Sequence, residues 1–169
     1  KETMGSFLIW YLWVTAAGLI GFPITFRLLR HLPDRGYALA RVFALLVWGY
    51  LFWMMAVLGV AQNDLGGVIL AFALLLGASL YSLKDQWEDI RTYFVQNWRM
   101  VAGVELVFLV FFAFWAIVRA ANPALIGTEK PMELAFINSI LKSPGFPPGD
   151  PWLSGYAISY YYFGYVIVS

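Results

Sequence analysis

The chain has 169 residues, of which 62% are hydrophobic and only 12% are charged, whereas an ordinary globular domain carries about 25% charged residues. Eleven Lys and Arg against ten Asp and Glu leave a net charge of +1, which does not favour a polyanionic partner such as nucleic acid. The sequence has no cysteine, which excludes disulfides, thiol nucleophiles and thiolate metal sites. This composition excludes a soluble enzyme and a disordered chain, and it predicts an all-α helical protein of the lipid bilayer.

Apolar stretches of about 20 residues, the length that crosses ~30 Å of hydrocarbon, recur along the chain. We expect four complete spans, at residues 4–26, 41–61, 65–83 and 100–118. The last apolar stretch, 158–169, is too short to cross, so we expect it to be the start of a fifth span in a truncated chain. The predicted organisation is a four-span bundle at 1–118, a loop at 119–157 and this partial span.

The polar segment 84–99, between the third and fourth spans, carries apolar side chains at helical spacing. These are Trp87, Ile90, Phe94 and Trp98. The spacing predicts an amphipathic helix that lies along the inner leaflet of the membrane. A helix that docks a partner protein is the alternative.

Lys and Arg in short loops favour the cytoplasmic side of a membrane. Seven of them fall in the segments 27–41 and 84–99. The remaining four are Lys1, Arg119, Lys130 and Lys142. We therefore expect a multi-pass protein of the plasma membrane, with its N-terminus and the loop 119–157 outside.

Few polar residues interrupt the predicted spans. Glu105 lies inside the fourth span, where a carboxylate is a functional candidate, but its position near the cytoplasmic end favours pairing with a loop arginine or snorkelling. His31 is the only histidine and lies in a basic loop, so we expect no haem or chlorophyll ligand. Close helix packing is predicted at Gly18, Gly21, Gly66, Gly67 and Gly77.

The loop 119–157 contains a predicted short helix, 128–142, with Thr128 as its candidate N-cap. At 100° per residue, Glu129 and Glu133 share an arc with the apolar Phe136, the reverse of an ordinary surface helix. This arrangement indicates that the arc faces a cavity or a ligand. The alternative is that the two acids merely favour the helix dipole.

The sequence FPPGDPW at 146–152 contains three prolines and one glycine, which give a chain a stiff path. We expect it to hold Asp150 at a fixed position above the membrane, although a simple rigid connector would show the same pattern. Clustered acids repel one another unless a cation lies between them. Because the stiff segment brings Asp150 back towards the membrane face that carries the apolar arc, we predict that Glu129, Glu133 and Asp150 converge on one cavity near residues 160–162, kept for a metal or for proton transfer.

The three adjacent tyrosines Tyr160, Tyr161 and Tyr162 are expected on different faces of a helix at the outer membrane interface, close to that cavity. Together, KPMELAFINSILKS, FPPGDPW and YYYFGY resemble the signature of the Chlor_Arch_YYY membrane proteins. This is an uncharacterised, very hydrophobic family of archaea and Chloroflexi. The resemblance covers residues 120–169, and it implies a longer protein with many spans without implying an activity.

The layout also resembles, more remotely, the GT-C glycosyltransferases, which take sugar from a polyprenyl-phosphate lipid and carry acids in their first large outer loop. The resemblance implies that Glu129, Glu133 and Asp150 are catalytic, with Glu129 or Asp150 as the base or as ligands of a divalent metal. It implies lipid-phosphate or sugar contacts for Lys130, Arg119, Trp152, Tyr160, Tyr161 and Tyr162. The three spans that precede the fourth depart from that pattern.

Two classes of function stay open. The acids on the apolar arc favour a glycosyltransferase-like enzyme, whereas the lack of a standard nucleotide-binding or zinc-hydrolase motif favours a non-catalytic subunit or scaffold among other membrane subunits. A channel or transporter would need more polar residues inside its spans than Glu105.

Overall fold

The computed structural model describes residues 2–124 and 129–169. Within these ranges the chain forms seven α-helices and no strand, with one isolated antiparallel bridge between Gly149 and Ala157. The helices are α1 (Glu2–Leu28), α2 (Ala40–Val57), α3 (Leu65–Lys84), α4 (Trp87–Gln96), α5 (Trp98–Ala121), α6 (Lys130–Lys142) and α7 (Phe163–Val168).

Four of these helices are long and apolar enough to span a membrane. They are α1, α2, α3 and α5, with mean hydropathies from 1.7 to 2.5 over their most apolar windows. In hydrocarbon a helix satisfies its own backbone hydrogen bonds, which is why these sequences fold as helices rather than as open strands. The predicted all-α, polytopic membrane fold is confirmed, with the short α6 in the loop 119–157 and α7 within the predicted partial span.

The second span is shorter than predicted. It ends at Val57 rather than at residue 61, because Gly59 adopts a left-handed φ of +71° and the N–H of Val60 turns back to the Met55 carbonyl. A glycine takes this backbone conformation at no steric cost.

The chain divides into two compact units, each with its own core. Unit 1 comprises Lys1–Leu45 and Leu75–Pro123, and unit 2 comprises Leu46–Leu74 and Ala124–Ser169. Both α2 and α3 therefore contribute one end to each unit.

Aromatic rings form the core of unit 1. The ring of Phe22 lies 5.1 Å from that of Tyr37, 5.5 Å from Tyr93 and 5.4 Å from Phe94, measured between centroids. The Tyr93 hydroxyl donates to the Asp34 carbonyl at 2.8 Å, and burial raises the pKa of Tyr93 to about 12. The α1–α2 loop and α4 therefore lie at the same end of unit 1, as the charge pattern predicts.

Helix α4 is the predicted helix of the segment 84–99, although it is shorter, and its apolar side chains divide between two environments. Ile90 is buried and Phe94 packs against the core of unit 1. In contrast, Trp87 and Trp98 are 55% and 60% exposed. An amphipathic helix with an exposed tryptophan at its first residue, and another at the first residue of α5, suits a membrane interface.

Glu105 is paired inside unit 1. One carboxylate oxygen accepts a hydrogen bond from Arg41 Nη2 at 2.5 Å, and the other accepts from the Tyr37 hydroxyl at 2.7 Å. The Arg41 side chain is only 8% exposed, and its guanidinium lies 4.2 Å from the centroid of Phe108. The predicted pairing with a loop arginine is confirmed, which removes the cost of an isolated charge in an apolar helix.

Two glycines of α1 allow this arrangement. A Cβ on Gly18 would lie 2.6 Å from Cγ of Arg41, and one on Gly21 would meet the backbone of α2. The predicted close packing is therefore confirmed at both positions, and also at Gly67. It is wrong at Gly77, where an added Cβ would meet no other described residue within 4 Å, and at Gly66, where it would meet only Asp64 of the same turn.

Unit 2 is built on the contacts of α6. Ile140 is 1% exposed and packs with Phe52, Ala71 and Val166 from α2, α3 and α7. Asn63, in the α2–α3 turn, donates its side-chain amide to the carbonyls of Ile140 and Ser143, at 2.5 and 2.7 Å. These bonds attach the C-terminus of α6 to the α2–α3 turn, and the Ile140 carbonyl also accepts the N–H of the C-cap residue Ser143 at 3.2 Å.

Loss of the Glu105 carboxylate should destabilise the protein. We expect Glu105→Ala to lower the free energy of unfolding in detergent by about 3 kcal/mol, because it leaves the buried Arg41 charge unpaired. The matched control is Glu88→Ala, which removes a carboxylate that is 77% exposed and 3.8 Å from Arg91. Equal losses in the two variants would show that the Arg41–Glu105 pair is not a structural element.

Candidate functional site

Helix α6 begins at Lys130 rather than at the predicted residue 128. Glu129 occupies the N-cap position without a side-chain capping bond, and a proline lies in the first turn, where its missing N–H costs nothing. Thr128, the predicted N-cap, lies outside the described residues.

The predicted apolar arc of α6 is present. Phe136 is 4% exposed, and Glu133, one turn before it, is half-buried, whereas Glu129 is exposed. This arc faces α7, since the ring centroid of Phe136 lies 5.7 Å from that of Tyr165.

Aromatic rings surround Phe136. Its centroid lies 5.4 Å from Trp152, 5.5 Å from Tyr160 and 5.7 Å from Tyr165, and Tyr160 in turn lies 4.8 Å from Tyr161. We call these five residues the Phe136 cluster. Although Phe136 is buried, Trp152 and Tyr161 are 62% and 84% exposed. The cluster thus presents aromatic faces to its surroundings beside Glu133.

The three tyrosines are not helical neighbours, so that prediction is wrong. Helix α7 starts only at Phe163, because residues 156–158 pair in antiparallel fashion with residues 148–150 and cannot be helical. The N–H of Ile158 donates to the Pro148 carbonyl at 2.9 Å. Tyr162 is separated from the other two tyrosines, since its hydroxyl accepts a bond from Trp53 Nε1 at 3.1 Å.

Asp150 is held by a local turn. Its Oδ1 accepts the backbone N–H groups of Trp152 and Leu153, at 2.8 and 2.9 Å. Asp150 and Trp152 also line an open hollow of about 520 Å³, together with Ser154 and the exposed Tyr156. The two hydrogen bonds to Oδ1 hold Asp150 in a defined turn, and its predicted position above the membrane stays a prediction.

The three acids do not form a common metal site. Among the described residues no three Asp, Glu or His side chains come together as a group able to hold a metal ion. The convergence of Glu129, Glu133 and Asp150 on one cavity, with Glu129 and Asp150 as metal ligands, stays a prediction, and we derive no chemistry through a metal.

The two predicted phosphate-binding cations make local backbone contacts. Lys130 Nζ donates to the Ala124 carbonyl at 3.1 Å, in unit 2. Arg119, at the end of α5 in unit 1, donates to the Asn122 carbonyl at 3.2 Å.

Two features of this surface escape sequence reasoning. Phe136 looks like an ordinary core residue, and its role as the centre of the cluster follows only from the packing of the later loop. Ser139 connects α6 to that loop by donating its hydroxyl to the Gly149 carbonyl, and Ser143 accepts the Gly149 N–H at 3.2 Å. For the contact between the α2–α3 turn and the end of α6, the one local signal in the sequence is the turn-forming composition around Asn63.

Comparison with known proteins places the chain in a family. A family model described as Uncharacterized membrane protein (DUF2298) matches residues 47–169. Comparisons with curated proteins and with solved structures each give no match. The matched residues include α3, α5 and the whole Phe136 cluster together with Asp150. By this match over most of its length, the chain belongs to the DUF2298 family of membrane proteins.

Proposed function

We propose that the chain belongs to a glycosyltransferase-like membrane enzyme that takes sugar from a polyprenyl-phosphate lipid, with its sugar-binding surface in unit 2. The observation that carries this proposal is the Phe136 cluster, which has an exposed tryptophan and an exposed tyrosine. Two carboxylates are close to it in sequence: Glu133 lies three residues before Phe136, and Asp150 lies two residues before Trp152. Aromatic faces pack against the apolar faces of sugar rings, and carboxylates accept bonds from sugar hydroxyls. The combination is unusual for a surface whose only task is to pack against lipid.

The half-buried Glu133 suits the role of general base. In glycosyl transfer the acceptor oxygen attacks the anomeric carbon, the bond from this carbon to the lipid phosphate breaks, and a base takes the proton of the acceptor. Glu129, one turn earlier on the same side of α6, is the second candidate for this role.

Asp150 suits sugar binding better than proton transfer. Two backbone N–H groups orient its Oδ1, and Oδ2 has no hydrogen-bond partner among the described residues, so this oxygen is available to a sugar hydroxyl. Lys130 lies in the first turn of α6 and can offset the charge that develops on the leaving phosphate. Trp152 belongs to the Phe136 cluster and also lines the hollow, and it supplies the ring on which a sugar would stack.

Substitution of the acids tests the enzyme. In membranes supplied with a radiolabelled polyprenyl-phosphate sugar, we expect Glu133→Gln to reduce the rate of transfer at least ~100-fold, the usual contribution of a general base. Asp150→Asn should weaken sugar binding and raise KM, because the oxygen proposed to accept a sugar hydroxyl becomes an amide NH2 group. The turn should persist, since the remaining oxygen of Asn still accepts the two backbone N–H groups. Glu88→Gln is the control, because it changes an exposed acid of unit 1.

The amount of inserted protein should be the same in all of these variants. Full transfer activity in both Glu133→Gln and Glu129→Gln would overturn the assignment of the base. If none of the substitutions in unit 2 changes the rate of sugar transfer, the enzyme proposal as a whole is overturned.

The proposal also fixes an orientation in the plasma membrane, with the loop 119–157 outside and α4 at the cytoplasmic face. It is supported by the excess of Lys and Arg in the α1–α2 loop and the segment 84–99. The chain has no cysteine, so single cysteines report their own side. An impermeant maleimide should label Lys142→Cys in intact cells, and should label Glu88→Cys only after the membrane is opened; the reverse pattern would contradict this orientation.

A scaffold or non-catalytic subunit is the second candidate. One observation favours it: α5 has no buried residue in the part of the chain that the structure describes, although it is the most apolar of the four candidate spans. Much of the surface of such a helix is open to lipid or to further membrane helices. This candidate predicts that variants of Glu133 and Asp150 leave all function intact.

A further inference from the structure

A small cavity with polar and apolar lining lies inside unit 1, where α1 meets the start of α2. It is lined by Thr15, Gly18, Leu19, Tyr37, Ala40 and Arg41. The space open to the centre of a water-sized sphere is about 10 Å³. A space of about this size holds one water molecule and little else.

Two lining side chains have buried polar atoms that lack a hydrogen-bond partner among the described residues. They are Oγ1 of Thr15 and Nε of Arg41, whose residue is 7% exposed overall. Arginine carries five N–H donors in a fixed fork, so the bond from Nη2 to Glu105 cannot also serve Nε. A buried polar atom without a partner costs about 1–3 kcal/mol, so two of them facing one cavity call for an explanation.

We propose that unit 1 binds a single ordered water molecule in this cavity, bridging Arg41 Nε and Thr15 Oγ1. The water accepts the Arg41 Nε–H and donates a hydrogen bond to the Thr15 hydroxyl oxygen. The Thr15 hydroxyl keeps its own hydrogen, which it can donate. Tyr37 supplies a further contact, since its hydroxyl donates to Glu105 and keeps lone pairs that can accept a bond. The Arg41–Glu105 pair is then one part of a hydrated polar group that links α1, α2 and α5.

The backbone of α1 is shaped for this group. Gly18 lines the cavity, and any side chain there would collide with the stem of Arg41, since a Cβ would lie 2.6 Å from Cγ. The glycine therefore lets the arginine pass close to α1 and bring Nε to the side of Thr15. A side chain in place of Gly18 would force α1 and α2 further apart and would displace the guanidinium from the cavity.

Radiolytic hydroxyl labelling of the intact protein in detergent tests the proposal, because radicals formed from a bound water oxidise the side chains beside it. Tyr37 lines the cavity, whereas Tyr93 does not, and both residues are 6% exposed. We expect Tyr37 to be oxidised several-fold faster than Tyr93. Equal rates in the unmodified protein would overturn the proposal without recourse to any variant.

Substitutions at Thr15 provide the second arm. Thr15→Leu fills the cavity and should lower the oxidation rate of Tyr37 to that of Tyr93, whereas Thr15→Ser keeps the hydroxyl and should preserve the difference. Thr15→Val should lower Tm, and Thr92→Val, which changes an exposed threonine of α4, should not. An unchanged Tyr37 rate in Thr15→Leu would show that the label comes from bulk solvent and would overturn the assignment.

Discussion

Polar groups that enter hydrocarbon must find their partners inside the protein, and the structure depends on this constraint. The backbone meets it by folding the apolar stretches into helices. Side chains meet it individually: the Ser79 hydroxyl donates to the Ile20 carbonyl at 2.5 Å, in the turn before the proline that interrupts α1. The most demanding case is Arg41, whose charge is almost completely buried at the start of α2.

Arg41 is tolerated because several elements converge on it. Glu105 neutralises the charge, Phe108 offers a ring face to the guanidinium, and Gly18 leaves room for its stem. These contacts tie α1, α2 and α5 together at one end of unit 1. A buried ion pair contributes little net stability compared with apolar packing, but it penalises every arrangement in which one partner is left alone. The pair therefore acts mainly to specify how these helices meet.

Unit 2 solves a different problem, since it must order a loop rich in proline and glycine. Asn63 holds the end of α6, Ser139 holds the loop at Gly149, and the turn at Asp150 is closed by its own carboxylate. The product is a set of aromatic rings with fixed mutual positions. Rings that are held in place lose little entropy when they bind a flat ligand face, which is why such a surface suits recognition of a sugar.

The sequence by itself determined the membrane class, the positions of four spans and the helical nature of α4 and α6, because hydrophobic length and periodicity are local properties. It also indicated that Glu105 would meet a loop arginine. The tertiary structure alone decided that the partner is Arg41, in the first turn of α2, because Gly18 leaves room for its stem beside α1. It likewise removed the Tyr162 side chain from those of its neighbours. Those outcomes depend on hydrogen bonds between residues far apart in the chain, such as the bond from Trp53 to Tyr162, and no local pattern encodes them.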